Sequence, residues 1–340
     1  MDRVIIGIHG LRNKPAAQIL KDWWLLSIRD GFDHISRPQL PCKFELLYWA
    51  DLLYHKPSDP LLIDKDNPLF LKNPYKRLSY KNKSRVDHRL QHRLERLEKI
   101  SNQLFHIDRI LESFEGISDR FIHSRFHDLE VYLRNGTGYL DATHRPIREV
   151  ILERLGQLLF KYRRKKIMLI AHSMGSIVTY DLLTQPDNPF KIDTLMTMGS
   201  PLGQPTIMSK FASKNPVVHK LNVPDNVDKW INLSDLKDFV ALDPTLADDY
   251  APNKKGVTPI DVIIENQYAW EGIANPHSAF GYLQSPECAA YIREFLTKDR
   301  SPWALISNQF IYKIMERLFH DREKRLQRSA SRPEQIPAIE

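Results

Sequence analysis

The chain has 340 residues, with 49 Lys plus Arg against 42 Asp plus Glu and a formal charge of +7 at neutral pH. An apolar fraction of 42% and an aromatic fraction of 10% exclude a wholly disordered chain, and 13 Gly and 22 Pro without a repeat exclude collagen-like and low-complexity classes. No apolar run reaches the ~18 residues of a membrane-spanning helix. The N-terminus lacks the flanks of a secretory signal. Two cysteines, Cys42 and Cys288, without a CxxC, argue against a disulfide scaffold or structural zinc. A reducing, cytoplasmic location is expected.

Val4-Ile5-Ile6-Gly7-Ile8 is a short continuous apolar run stopped by His9-Gly10, the pattern of a strand buried on both faces. A helix follows, entered near Asn13 and Pro15 and carrying Ile19, Leu20, Trp23 and Trp24, with the Trp pair read as core. Phe44–Trp49 reads as a second strand. A long insertion, roughly Leu53 to Asp141, reads as polar, basic and helical. Leu90, Leu94, Leu97, Leu104, Ile107, Leu111 and Phe114 form one apolar stripe, and Ile122, Phe126, Leu129 and Leu133 a second. Residues 71–100 hold ten Lys/Arg and three Asp/Glu, a net +7. The plain reading of that cluster is a solvated helix face; the sharper one is an anionic membrane surface, with nucleic acid ranked last for want of a motif.

Pro146 opens a helix through Ile147, Ile151, Leu155, Leu158 and Tyr162, whose basic end suits the negative pole of its dipole. Strands are then expected at Ile167–Ala171, Asp193–Met198, Trp230–Leu233 and Asp261–Ile264, with helices from Met174 and over Ser278–Phe295. Beyond Pro302, Ile306, Phe310, Ile314 and Phe319 make another amphipathic stripe ahead of a polar tail. The alternation predicts an α/β fold over 1–300, a mostly parallel sheet flanked by helices, with 301–340 as an appended helix and tail.

The sharpest motif is Ala171-His172-Ser173-Met174-Gly175, between an apolar strand and a helix start. A serine hydroxyl is a weak nucleophile until a base takes its proton and donors meet the oxyanion. A tight strand-to-helix turn lifts the serine clear of the sheet, and it needs small residues two positions either side, here Ala171 and Gly175. Gly7-x-x-Gly10 lacks the glycine spacing of a dinucleotide fingerprint. No residue set suggests a metal, nucleotide or flavin, so no cofactor is expected.

Taken together, Ile8-His9-Gly10-Leu11 after an early strand, AHSMG at the turn and TMGSPLG after the next strand resemble the α/β-hydrolase superfamily, in its lipase and esterase branch that includes GPI inositol-deacylase-like proteins. The resemblance covers most of residues 1–300 apart from the insertion, which it suggests is lid-like. It implies an α/β-hydrolase fold and hydrolysis of an acyl ester, of a small molecule or a lipid, through an acyl-enzyme intermediate. Thioesters or amides would use the same machinery. Family sheets usually carry strands ahead of the oxyanion loop, so a sheet trimmed at one edge is expected here.

The resemblance also implies the chain order Ser, acid, His. Of the histidines after Ser173, His219 precedes the best acids and His320 lies in the basic C-terminal stripe, which leaves His277 in Asn275-Pro276-His277-Ser278 as the base. By the same resemblance the expected acid is Asp238, ahead of the short apolar turn Phe239-Val240, with Asp235 as the alternative and Asp243 behind both. Met174, first in the helix, offers one oxyanion N–H; by resemblance Leu11 offers the second, with Arg12 as runner-up and His9 bracing the loop. The competing reading is a catalytically inactive hydrolase-like scaffold that binds an anionic partner or membrane surface through its basic insertion. Peripheral contact with an anionic membrane is an expectation under either reading.

Overall fold

The computed structural model describes residues 2–37, 40–80, 128–129, 131–133, 145–212 and 220–299. The stripe from Leu90 to Phe114, most of the stripe from Ile122, the basic residues from Lys81 onward in the 71–100 cluster, His219 and the segment 301–340 lie outside them. In chain order the main elements are β1 Arg3–Ile8, α1 Ala17–His34, β2 Lys43–Leu47, α2 Ile147–Lys161, β3 Lys166–His172, α3 Met174–Leu183 and β4 Thr194–Met198. There follow α4 Pro205–Phe211, β5 Trp230–Ser234, β6 Pro259–Ile263, α5 Ala279–Gln284 and α6 Pro286–Thr297.

Six strands form one sheet in the order β2-β1-β3-β4-β5-β6, every neighbour pair parallel. The continuous apolar runs follow from burial on both faces. Along β3, Ile167, Leu169 and Ala171 enter a core shared with Leu155 and Leu159 of α2 and Ile177 and Val178 of α3. The alternate residues Met168 and Ile170 enter the opposite core with Trp24 and Ile28 of α1, Leu283 of α5 and Ile292 of α6. β1 divides in the same way, with Val4, Ile6 and Ile8 on one side and Ile5 on the other.

From β1 the chain crosses over α1 to the edge strand β2, then returns past β1 to β3 on its other side. The connections leaving β1 and β3 therefore run in opposite directions and open a crevice at the carboxyl ends of these two strands. His9-Gly10 and Ser173 stand at the carboxyl ends of these two strands, with Gly10 against Ser173.

Four details differ from the pattern read along the chain. β2 stops at Leu47, because Trp49 is drawn into the core and its N–H donates to His9 Nε2 at 3.1 Å. Residues 53–80, read as the start of a helical insertion, are loop. Asp59, Asp64 and Asn67 each accept a backbone N–H two residues on, an arrangement that competes with helix, and Pro57, Pro60, Pro68 and Pro74 recur through the segment. The single helix expected over Ser278–Phe295 is two, because Ser285 is extended at ψ 142° and caps α6 by accepting from Cys288 N–H, with Pro286 at its first position. α4, opened by Pro205, adds a helix to the pattern read along the chain. At the far end of the insertion, residues 128–129 and 131–133 are helical, with Val131 and Tyr132 buried.

Candidate active site

β3 delivers Ser173 at φ 55°, ψ −128°, a strained backbone held by the Ser173 N–H bond to Met198 O at 3.0 Å and by α3 starting at the next residue. Gly175 allows that helix to start so close to β1: a Cβ there would stand 2.5 Å from Ile8 O and 2.9 Å from His9 O. The turn thus forms from local geometry plus one close approach to a neighbouring strand.

His277 reaches the serine from the loop before α5, with Nε2 2.9 Å from Ser173 Oγ. Its Nδ1 lies 2.8 Å from Asp238 Oδ2 and 2.9 Å from Oδ1. A carboxylate only accepts, so Nδ1 carries the proton and Nε2 is left to accept from the serine hydroxyl. The Asp238 side chain is 0% exposed and the His277 side chain 19%, so the ring has access to a substrate while its carboxylate partner is shielded from water. Asp238 also accepts from Val240 N–H and from the Tyr282 hydroxyl, each at 2.9 Å.

The loop carrying His277 is fixed from two sides. Asn266 Nδ2 donates to Pro276 O at 2.8 Å and to Ser278 O at 2.9 Å, gripping the carbonyls on either side of the histidine. His172 Nε2 donates to His277 O at 2.8 Å, and burial holds the His172 ring well below the usual histidine range, so it stays neutral. Gly199, at φ +52°, clears the space between base and acid: a Cβ there would lie 2.7 Å from Asp238 Oδ2 and 3.1 Å from His277 Nδ1.

Asp235 is turned elsewhere. Its carboxylate accepts from Lys237 N–H at 2.7 Å and Asn266 N–H at 2.6 Å, and burial raises its carboxyl above the usual range. Asp243 accepts from Thr245 N–H and Oγ1 and packs against Gly203. Ser173, His277 and Asp238 are the three side chains brought into one hydrogen-bonded line.

The start of α3 and the loop after β1 flank the serine. The N–H of Met174 is the first of α3, so it has no partner within the helix and sits at the positive end of its dipole. Gly10 backs directly onto Ser173, where an added Cβ would come 2.7 Å from the serine Cβ, and Leu11 follows it. Arg12, the runner-up donor, has its N–H bonded to Asp128 Oδ2 at 2.8 Å. His9 is buried beneath the loop and burial brings its pKa down to about 3. Its Nδ1 donates to Gly10 O at 2.8 Å, its Nε2 accepts from Trp49 N–H, and its ring stacks on Trp49. The ring is a brace for the loop.

Tyr282, Asn266 and His172 escape a reading of the chain in order. The nearest signal is the placement of Tyr282 five residues after His277 and of His172 inside the serine turn; Asn266 has none, because its two acceptors lie ten and twelve residues further on. Among the described residues no group of three or more His, Cys, Asp or Glu is arranged for a metal, and no helix is long and apolar enough to cross a membrane.

Comparison with curated proteins gives no match. Residues 132–222, which contain α2, β3 with the serine turn, α3, β4 and α4, match the family model described as PGAP1-like alpha/beta domain. Over those residues the chain is similar to the PGAP1-like family, and the six-stranded parallel sheet flanked by helices is that of an α/β-hydrolase fold.

Proposed function

We propose that the protein is a serine hydrolase that cleaves acyl esters through an acyl-enzyme intermediate. Ser173 Oγ attacks the carbonyl carbon as His277 Nε2 takes its proton, and the oxyanion accepts the N–H groups of Met174 and Leu11. Collapse breaks the ester bond, and the leaving alkoxide takes the proton from His277. Water then attacks the acyl-enzyme with the same base and releases the acid. Asp238 keeps Nδ1 protonated and stabilises the imidazolium. The observation that carries this reading is the Ser173–His277–Asp238 line at 2.9 and 2.8 Å at the carboxyl end of β3.

A lipid-like ester is favoured within this reading. Phe239, Leu242 and Ile273, exposed at 83, 57 and 74%, stand on the loops that supply the acid and the base. Leu61 and Ile63 stand on the 53–80 loop, which the Lys65–Glu271 ion pair ties to the His277 side. Peripheral contact with a lipid surface belongs to the same proposal.

A fluorophosphonate probe tests the chemistry. It should label Ser173, and Ser173→Ala should lose both the label and hydrolysis of short acyl esters, by ~10⁴-fold or more. Labelling mapped to another serine, or none, would overturn the reading and favour the inert scaffold that binds through its basic segment.

A further inference from the structure

The Tyr282 hydroxyl is buried behind Asp238 and makes two hydrogen bonds. It accepts from Asp235 N–H at 3.0 Å and donates to Asp238 Oδ2 at 2.9 Å. A backbone N–H can only donate, so the bond from Asp235 occupies a lone pair and leaves the single phenolic proton for the carboxylate. Oδ2 therefore meets two donors, Tyr282 and His277 Nδ1, while Val240 N–H holds Oδ1. The tyrosine comes from α5, the helix that follows the His277 loop, so one bond links the acid's loop to the base's helix.

We propose that Tyr282 is a positioning residue for the hydrolysis: it fixes the Asp238 carboxylate in the plane of the His277 ring and draws off part of its charge. The inference rests on the reading in which Ser173, His277 and Asp238 carry the reaction. The hydroxyl touches neither the serine nor the histidine, so its effect passes through Asp238. Without it the carboxylate turns more freely and the imidazole is less well aimed. More negative charge then faces Nδ1, which holds the imidazolium more tightly and keeps the base protonated to higher pH.

Tyr282→Phe, assayed with a soluble acyl ester, should lower kcat about tenfold with KM within about twofold, since a bond to a charged group is lost and no substrate contact is. The acid limb of the kcat/KM profile should move to higher pH by roughly half a unit. Placed in an Asp238→Asn background, Tyr282→Phe should cost nothing further. Phenylalanine also leaves Asp235 N–H without its acceptor, so 3-fluorotyrosine at position 282 provides a variant that keeps the shape. Its stronger donation should move the same limb to lower pH. A kcat within twofold and an unmoved limb in both variants, or an equal loss in the two backgrounds, overturns the inference. An Asp238→Asn enzyme as active as the wild type would instead overturn the reading of Asp238. A dead Asp238→Asn enzyme beside an unaltered Tyr282→Phe enzyme removes only Tyr282.

Discussion

At the scale of single residues, the site depends on atoms that are missing as much as on those present. Gly199 sits at the end of β4 with a positive φ, and its bare Cα lets Asp238 and His277 meet across it. Gly199→Ala would place a methyl within 2.7 Å of Asp238 Oδ2, and the carboxylate would have to withdraw from the histidine. The left-handed backbone adds about 1–2 kcal/mol of strain for a residue with a Cβ. Ester hydrolysis should fall about 100-fold or more while the far-ultraviolet circular dichroism stays that of the wild type. Activity within a few-fold of wild type would show that the pair tolerates a wider gap. Which carboxylate meets His277 follows from its other partners, since Asp235 is held by Lys237 N–H and Asn266 N–H. Asp235 and Asp238 both follow β5 within four residues, and their local spacing alone does not separate them.

At the scale of elements, legibility follows the range of the interactions. The strands buried on both faces read directly as apolar runs, and the turn at Ser173 reads as small residues around a serine, because both are local. The break at Ser285-Pro286 lies between two apolar stretches, Phe280 and Leu283 before it and Cys288 and Ile292 after it, that enter the same core and so read as one helix. The choice of Asp238 and the grip on His277 by Asn266 come from loops packed across the sheet. The loop after β5 also stores a titration that no local motif announces. Burial and the neighbouring Asp249 and Asp248 push the Asp243 carboxyl up to about 7. An acid raised in the folded state binds its proton more tightly there than in the unfolded chain. Its contribution is therefore complete below the usual carboxylate range near pH 4 and is lost as pH rises toward 7. Asp243→Asn removes that titration and keeps an oxygen for Thr245. Its melting temperature should change less than the wild type's between weakly acid and weakly alkaline buffer, and should exceed it on the alkaline side. Parallel melting curves for the two proteins would mean that Asp243 does not titrate in this window.

At the scale of the whole molecule, an all-parallel sheet sends its loops to one edge, so segments distant in the chain share a rim around Ser173. Five of the seven large exposed apolar side chains among the described residues, Leu61, Ile63, Phe239, Leu242 and Ile273, stand on three of those loops. Ion pairs Lys65–Glu271 and Lys237–Glu265 tie the loops to one another. Among the described residues the rim is not cationic: residues 235–249 carry five Asp against one Lys, and Arg77 of the basic 71–100 segment is already engaged by Asp30 and Asp33. Lipid contact through this rim would therefore rest on apolar insertion, and its strength should survive salt, which screens exposed charges within about 10 Å at moderate ionic strength. Full burial of a Phe or Ile side chain contributes about 1.5–3 kcal/mol, so Phe239→Ser with Ile273→Ser should reduce partitioning by at least tenfold. Flotation with phosphatidylcholine vesicles, with and without anionic lipid and at low and high salt, separates the two sources of contact. Binding to both vesicle types that persists in high salt and is lost in the double variant assigns the contact to the rim. Binding confined to anionic vesicles and abolished by salt assigns it to the basic segment instead, and no flotation at all would mean that the ester is met in solution.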